Sequence, residues 1–219
     1  ISSPANLAKL ETIRANQKRM ALGEGNEAEA RAIAAEAPAV VWIDTTMHST
    51  ETMPGQVPPL LAYRLLSDDS PEIQRILDHV VLLLVPTMNP DGMQHVNEWY
   101  RGNVGTQYEL APFPALYQRY AGHDNNRDWY MLNLQETRNA AKVLFEEWFP
   151  HIVYNQHQAP PFPARIFIPP YAEPMNPNIP PAAMEGINLI GLAMRERLAI
   201  EGKTGAISYA AFDGWWNGG

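Results

Sequence analysis

No cysteine occurs among the 219 residues, so disulfides and cysteine-based zinc fingers are excluded and the redox compartment stays open. Long apolar runs are also missing. The stretch 80–85 is strand-sized, far short of the roughly 20 residues a membrane-spanning helix needs. Charged side chains make up only 18% of the chain, and no basic run exceeds two residues. With a net charge of −8, the sequence offers no basic patch of the kind that nucleic acid or an anionic membrane surface requires. The opening ISSPANLAKL is not a signal peptide, whatever precedes it in the gene. Proline, by contrast, is abundant: 20 residues, clustered at 54–59, 160–170 and 174–181. Aromatic and aliphatic residues are interleaved there, which points to stiff, ordered surface loops. The hydrophobic fraction of 46% is that of an ordinary globular chain, and the length suits one domain with a sizeable core or most of a larger one.

Local signals alternate between helix and strand. Ser3-Pro4 opens a helix that helical apolar spacing carries to about Leu22, with Gly23 and Gly25 ending it. A second helix spans 27–37, and Pro38 precedes an apolar, β-branched strand at 40–45. Helices are expected at 58–66 and 71–77, a strand at 80–85, and an irregular, aromatic-rich region over 93–130. Asn133 with Glu136 forms a capping-box pattern for a helix to about Phe149, followed by strands at 151–155 and 165–168. Pro180-Pro181 opens a long helix to about Ile200. There is no internal repeat and no domain boundary, so 1–219 reads as a single domain. The alternation implies an α/β layered fold with a largely parallel central sheet, in which reactive groups gather at the carboxyl ends of strands.

Three strands end in chemically able loops. The first, VVWIDTTMHSTE, runs into His48 and Glu51, an imidazole and a carboxylate that a borderline cation such as Zn²⁺ accepts. The second ends in Asn89-Pro90-Asp91-Gly92, where Asn89 and Asp91 read as turn-formers or as partners of ligands. The third ends in Asn155-Gln156-His157, where His157 is either a third ligand or a polar residue capping the strand. Two histidines and one glutamate leave a fourth zinc position open, the mark of a catalytic more than a structural ion. Asp44 either orients a ligand imidazole or caps its strand.

These elements, with Trp99-Tyr100-Arg101 and Asn126-Arg127-Asp128-Trp129, fall in the order found in zinc metallocarboxypeptidases of the carboxypeptidase A type, which the stretch 40–160 resembles. The resemblance implies a three-layer α/β/α fold with a mixed, largely parallel central sheet, here truncated at both ends. It also implies one Zn²⁺ per chain held by His48, Glu51 and His157. Arg127 and Asn126 would hold the terminal carboxylate of a peptide substrate, a role suited to the planar guanidinium. Arg101 would stabilise the oxyanion as water attacks the carbonyl. Read without the resemblance, Arg127 forms an ion pair with Asp124 or Asp128, and Arg101 is a solvated charge. Tyr209 resembles a mobile substrate-contacting tyrosine and Phe212 a wall of the side-chain pocket, although both also suit a core. His79, His95, His123 and His151 match no role.

The family also uses a late glutamate that takes a proton from the attacking water and passes it to the leaving amine. No residue matches it, and Glu173 is a poor substitute. The chain is therefore expected to be an interior piece of a longer catalytic domain, with that glutamate beyond Gly219. The expected activity is removal of C-terminal residues from peptides with a free C-terminus. The alternatives are a zinc amidase or deacylase acting on small amino-acid derivatives, or a non-catalytic module that binds peptide C-termini. Such peptidases are often exported, which points to a secreted or periplasmic setting.

Overall fold

The computed structural model describes residues 1–158, 164–172 and 175–209. Two compact units divide the chain, Ile1–His157 and Gln158–Gly219. In the first, α1 (Pro4–Leu7) and α2 (Leu10–Ala21) replace the one expected helix, with a break at Ala8 and Lys9. The Ser3 hydroxyl accepts from the Asn6 N–H at the start of α1, as the sequence signal implies. After α3 (Glu27–Glu36), strand β1 (Ala39–Thr45) leads to the His48 loop. The proline cluster at 54–59 is helical, not a stiff loop: a 3₁₀ turn (Pro54–Gln56) runs into α4 (Val57–Ser67). Prolines suit a first turn because its N–H groups have no intrahelical acceptor. Then follow α5 (Pro71–His79), β2 (Val80–Val85) and α6 (Pro90–Asn103).

Helix α6 departs most from the sequence reading, since Asn-Pro-Asp-Gly starts a helix here and does not form a free turn. Asn89 Oδ1 accepts from the Gly92 N–H at 2.9 Å and Pro90 sits at the first helical position, so the turn signal acts as a helix cap. A second difference lies at α7 (Gln135–Lys142), which continues as a π-helical turn over Val143–Trp148. Asn133 does not cap it. The buried Asp128 carboxylate does so instead, accepting from the Leu134 N–H at 2.9 Å, the Asn133 N–H at 3.2 Å and the Thr137 hydroxyl.

Strand β3 (Ile152–Gln156) completes a three-stranded sheet of order β2-β1-β3, with both pairings parallel. Alternation along the strands builds two apolar layers. Val40, Trp42, Val81 and Leu83 face α2, α7 and the π turn through Ile13, Ala140, Leu144 and Trp148. Val41, Ile43, Leu82 and Leu84 face α4 and α5 through Leu65 and Ile73. Helices thus cover both faces, the three-layer arrangement expected, and the central strand β1, buried on both sides, is apolar up to its Asp44-Thr45 end. Because the strands are parallel, their carboxyl ends share one edge. Thr45 clips β1 to β2 there: its hydroxyl donates to Pro86 O at 2.8 Å, and its carbonyl accepts from the Met88 N–H at 2.9 Å.

The second unit contains β4 (Ile166–Phe167), α8 (Pro181–Ile200) and β5 (Ala206–Ile207), with β4 and β5 parallel. Gly191 lets α8 approach the backbone at Pro169, since a Cβ there would lie 2.2 Å from Pro169 O. Among the described residues, no helix is long and apolar enough to cross a membrane.

Candidate metal centre

Register brings the three candidate ligands together. Asp44 pairs with Asn155 and Thr45 with Gln156, so both strands finish side by side and His157 leaves β3 level with Thr46. Thr46 has φ of 56°, left-handed backbone that is costly for a β-branched residue, and here the chain turns out of the sheet towards His48. The His48–Glu51 turn is closed by the Glu51 N–H donating to His48 O at 2.9 Å. One ligand atom each from His48, Glu51 and His157 lies within 4.8 Å of the others. His48 Nδ1 is 2.8 Å from Glu51 Oε1, and His157 Nδ1 is 3.2 Å from His48 Nδ1 and 3.3 Å from Glu51 Oε2.

The two separations to His157 are close to the edges of a small tetrahedral cation site, and the shorter His48–Glu51 contact is a hydrogen bond that an ion would open. Ligand bonds of about 2.0–2.2 Å imply edges of roughly 3.3–3.6 Å between donor atoms, and two nitrogens with one carboxylate are a donor set that Zn²⁺ accepts. His48 Nε2 is 2.8 Å from Asp124 Oδ1, and a carboxylate only accepts, so Nε2 carries a hydrogen; Nδ1, 2.8 Å from Glu51 Oε1, carries one as well until a metal ion displaces it and takes the lone pair. His157 Nε2 donates to Asn155 Oδ1, and Asn155 Nδ2 donates to Asp44 Oδ1. Asp44 therefore orients the imidazole through an amide, one step further out than a direct contact. Its other oxygen accepts from the Trp42 indole N–H at 2.5 Å. Burial pushes the Asp44 carboxyl up, against the opposing effect of those two donors and the charge of His157.

Burial works against a charged His48, but hydrogen bonds to Glu51 and Asp124 and their charges outweigh it and hold the imidazole above its usual range. Asp124, despite burial, is held below the carboxylate range by His48 and the Asn126 N–H. Without metal, a proton on His48 thus fills the space between two carboxylates.

A short turn supplies the rest of the wall. Asp124 caps the 3₁₀ turn Asn125–Arg127 by accepting from the Asn126 N–H at 2.8 Å. Buried Asn125 donates to Met47 O at 2.6 Å, tying that turn to the loop before His48. Arg127 Nη1 donates to Asn126 O at 3.0 Å, and its charge reaches the Tyr117 hydroxyl. Asp128 is occupied by Thr137, the Leu134 and Asn133 N–H groups and His123 Nε2, so His123 has a structural partner. Arg101 lies in the last turn of α6, exposed, and makes no hydrogen bond or ion pair to the three ligands among the described residues. Asp91 sits in the first turn of α6. Tyr209 belongs to the second unit, where it is exposed and its N–H donates to Pro170 O at 2.8 Å. Phe212 lies outside the described residues.

The sequence gives no signal for Tyr117, whose ring meets His48 edge-on at 5.2 Å. Asp124 was legible only as a possible partner of Arg127. A trough of about 500 Å³, lined by Thr50, Thr52, Trp99, Tyr100 and Phe113, borders the loop on either side of Glu51. A larger cavity of about 600 Å³ beside Trp42 and Met88 includes none of the three ligands.

The sequence pattern of the zinc carboxypeptidase family matches residues 9–150. Carboxypeptidase A from Helicoverpa armigera has a similar solved structure, with a TM-score of 0.51 at 16% identity over 85% of this chain and 50% of that one. At that identity the likeness concerns the fold, and this chain spans half the length of that structure. No curated protein sequence matches the chain.

Proposed function

This chain belongs to the zinc carboxypeptidase family, and from that premise we propose that it is part of a zinc-dependent exopeptidase that hydrolyses the C-terminal bond of peptides. The observation that carries the reading is the convergence of His48, Glu51 and His157 from two parallel strand ends, with each imidazole's outer nitrogen already bonded. Zinc held there would supply Lewis acidity, polarising the scissile carbonyl and acidifying a water. Arg127 and Asn126 would bind the substrate's free carboxylate, which fixes the last residue of the peptide and confines cleavage to the terminal bond. Arg101 is assigned to oxyanion stabilisation by resemblance alone. Carboxylates around the centre are already engaged: Glu51 as a ligand, Asp124 on His48 and Asp44 on Asn155. Proton transfer to the leaving amine is assigned to a glutamate outside these groups.

Zinc per purified chain tests the first half of the proposal. The expected result is close to one ion, lost in His157→Ala. A folded protein that stays metal-free after reconstitution would overturn the metal reading. The second half is tested with the full gene product on one peptide carrying a free or an amidated C-terminus. Cleavage of the free form alone supports an exopeptidase; equal cleavage favours amidase chemistry, and binding without turnover favours a recognition module.

A further inference from the structure

We infer that Asn125 and Asn89 are positioning residues of the metal centre. Acting through the Met47 carbonyl, they hold the strained backbone at Thr46 in the bend that brings His48 and Glu51 to His157. Thr46 has φ of 56°, a region that β-branched residues rarely enter, and such strain persists only where the surroundings over-determine it. Anchors stand on both sides. Before the bend, the Thr45 hydroxyl donates to Pro86 O at 2.8 Å and the Thr45 carbonyl accepts from the Met88 N–H at 2.9 Å. After it, the Met47 carbonyl accepts from Asn125 Nδ2 at 2.6 Å and from Asn89 Nδ2 at 3.3 Å. Both asparagines are buried, and so is the Met47 side chain, which packs in the core with Trp42 and Met88.

The peptide bond transmits this hold. Its atoms are coplanar, so fixing the Met47 carbonyl also fixes the His48 N–H and Cα, from which the imidazole projects. Glu51 follows, because its N–H closes the turn on His48 O at 2.9 Å. The two amides act unequally. Asn125 makes the shorter bond, and its Oδ1 has no hydrogen-bond partner among the described residues, so donation to Met47 is what its burial secures. Asn89 is shared: its Nδ2 also donates to Tyr117 O at 3.1 Å, and its Oδ1 caps α6 through the Gly92 N–H. Without the amides the segment after Thr46 is released, its backbone relaxes towards the extended region, and a metal ion must restore the bend as it binds. An asparagine buried for packing alone would show no such coupling to residue 46.

Two readings on Asn125→Leu, Thr46→Gly and the double variant test the coupling. The first is zinc affinity, by competition with a chromophoric chelator. The second is hydrogen exchange of the Glu51 amide in zinc-free protein. Asn125→Leu keeps the branched shape without a donor. It is expected to weaken zinc binding about 5- to 100-fold, the scale set by one strained backbone residue, and to speed exchange at Glu51. Glycine adopts positive φ at no steric cost, so in a Thr46→Gly background the same change should alter either reading by less than about 3-fold. Asn89→Ser, which keeps a side-chain cap for α6, should act in the same direction by a smaller factor and be rescued in the same way. Equal losses in the Thr46 and Thr46→Gly backgrounds would overturn the inference, as would a folded Asn125→Leu with parent zinc affinity and parent Glu51 exchange. Should Asn125→Leu fail to fold, Asn89→Ser decides by the same two readings. Only the zinc measurement rests on the metal reading: if the parent protein takes up no zinc, that reading fails, while Glu51 exchange still decides the role of the two amides.

Discussion

Gly92→Ala should unfold this protein more easily, although the same change would stabilise α6 in isolation. Alanine is better than glycine in a helix by about 0.8–1.0 kcal/mol, and Gly92 lies in the first turn of α6. In the folded protein the added Cβ would lie 2.0 Å from Tyr117 O, 2.5 Å from Ser49 Oγ and 2.6 Å from Asn89 Nδ2. The nearest of these is backbone and cannot swing aside. Relief must displace Tyr117, which breaks the bonds its carbonyl accepts from Asn89 and Ser49. Overpacking costs about 1–3 kcal/mol and two neutral hydrogen bonds about 1–3 kcal/mol together. Set against the helix gain, the net loss is about 1–5 kcal/mol. Urea denaturation reads this as a lower midpoint, and zinc titration should show weaker binding because Tyr117 moves off His48. An unchanged or raised midpoint would refute the close approach at Gly92 and leave only helix propensity.

Asp124→Asn should weaken zinc affinity about 10- to 100-fold with little loss of fold, the usual effect of removing a ligand's carboxylate partner. Competition with a chelator checks it. Asp128→Ala should cost about 2–4 kcal/mol in urea denaturation, because the side chain is wholly buried and its removal strands the Leu134 N–H and leaves the Thr137 hydroxyl only Leu134 O. A loss under 1 kcal/mol would mean that another group caps α7. His151 accepts from the Val40 N–H at 3.0 Å, and burial holds its pKa below the usual value. Its folded form resists protonation, so its contribution is present above about pH 6.5 and is lost as pH falls through the lowered folded value. The stability difference between parent and His151→Asn, measured without metal, should therefore shrink on acidification. His48, raised in the folded state, pulls the opposite way in both proteins and cancels in that difference.

How much of the site was legible depends on whether a residue's partner is local. His48 and Glu51 sit three apart on one loop, and strand β1 is an apolar run closed by polar residues, so both were readable. The Asn-Pro-Asp-Gly signal was half readable. It names a chain reversal equally well as a free turn or a helix cap, and only the contacts of Asn89 with Gly92, Met47 and Tyr117 select the cap. The helix expected to be capped by Asn133 is preceded instead by Leu134, because Asp128, five residues upstream, holds the backbone N–H groups of both Asn133 and Leu134. Tyr117 gave no signal, since one tyrosine in an irregular stretch looks like any other.

By itself, the sequence determined the types of the sheet strands and of most helices, α6 excepted, the absence of disulfides, and the donor chemistry of His48, Glu51 and His157. Apolar periodicity and residue type are properties of the chain alone. The tertiary structure decided which of those donors meet. His157 reaches His48 across more than a hundred residues only because parallel pairing sets Asp44 against Asn155 and Thr45 against Gln156. A slip of one residue would turn every side chain on β3 to the opposite face and break the Asp44–Asn155–His157 chain. The register is held by packing on both faces of the sheet, a sum over many distant contacts that no local stretch encodes.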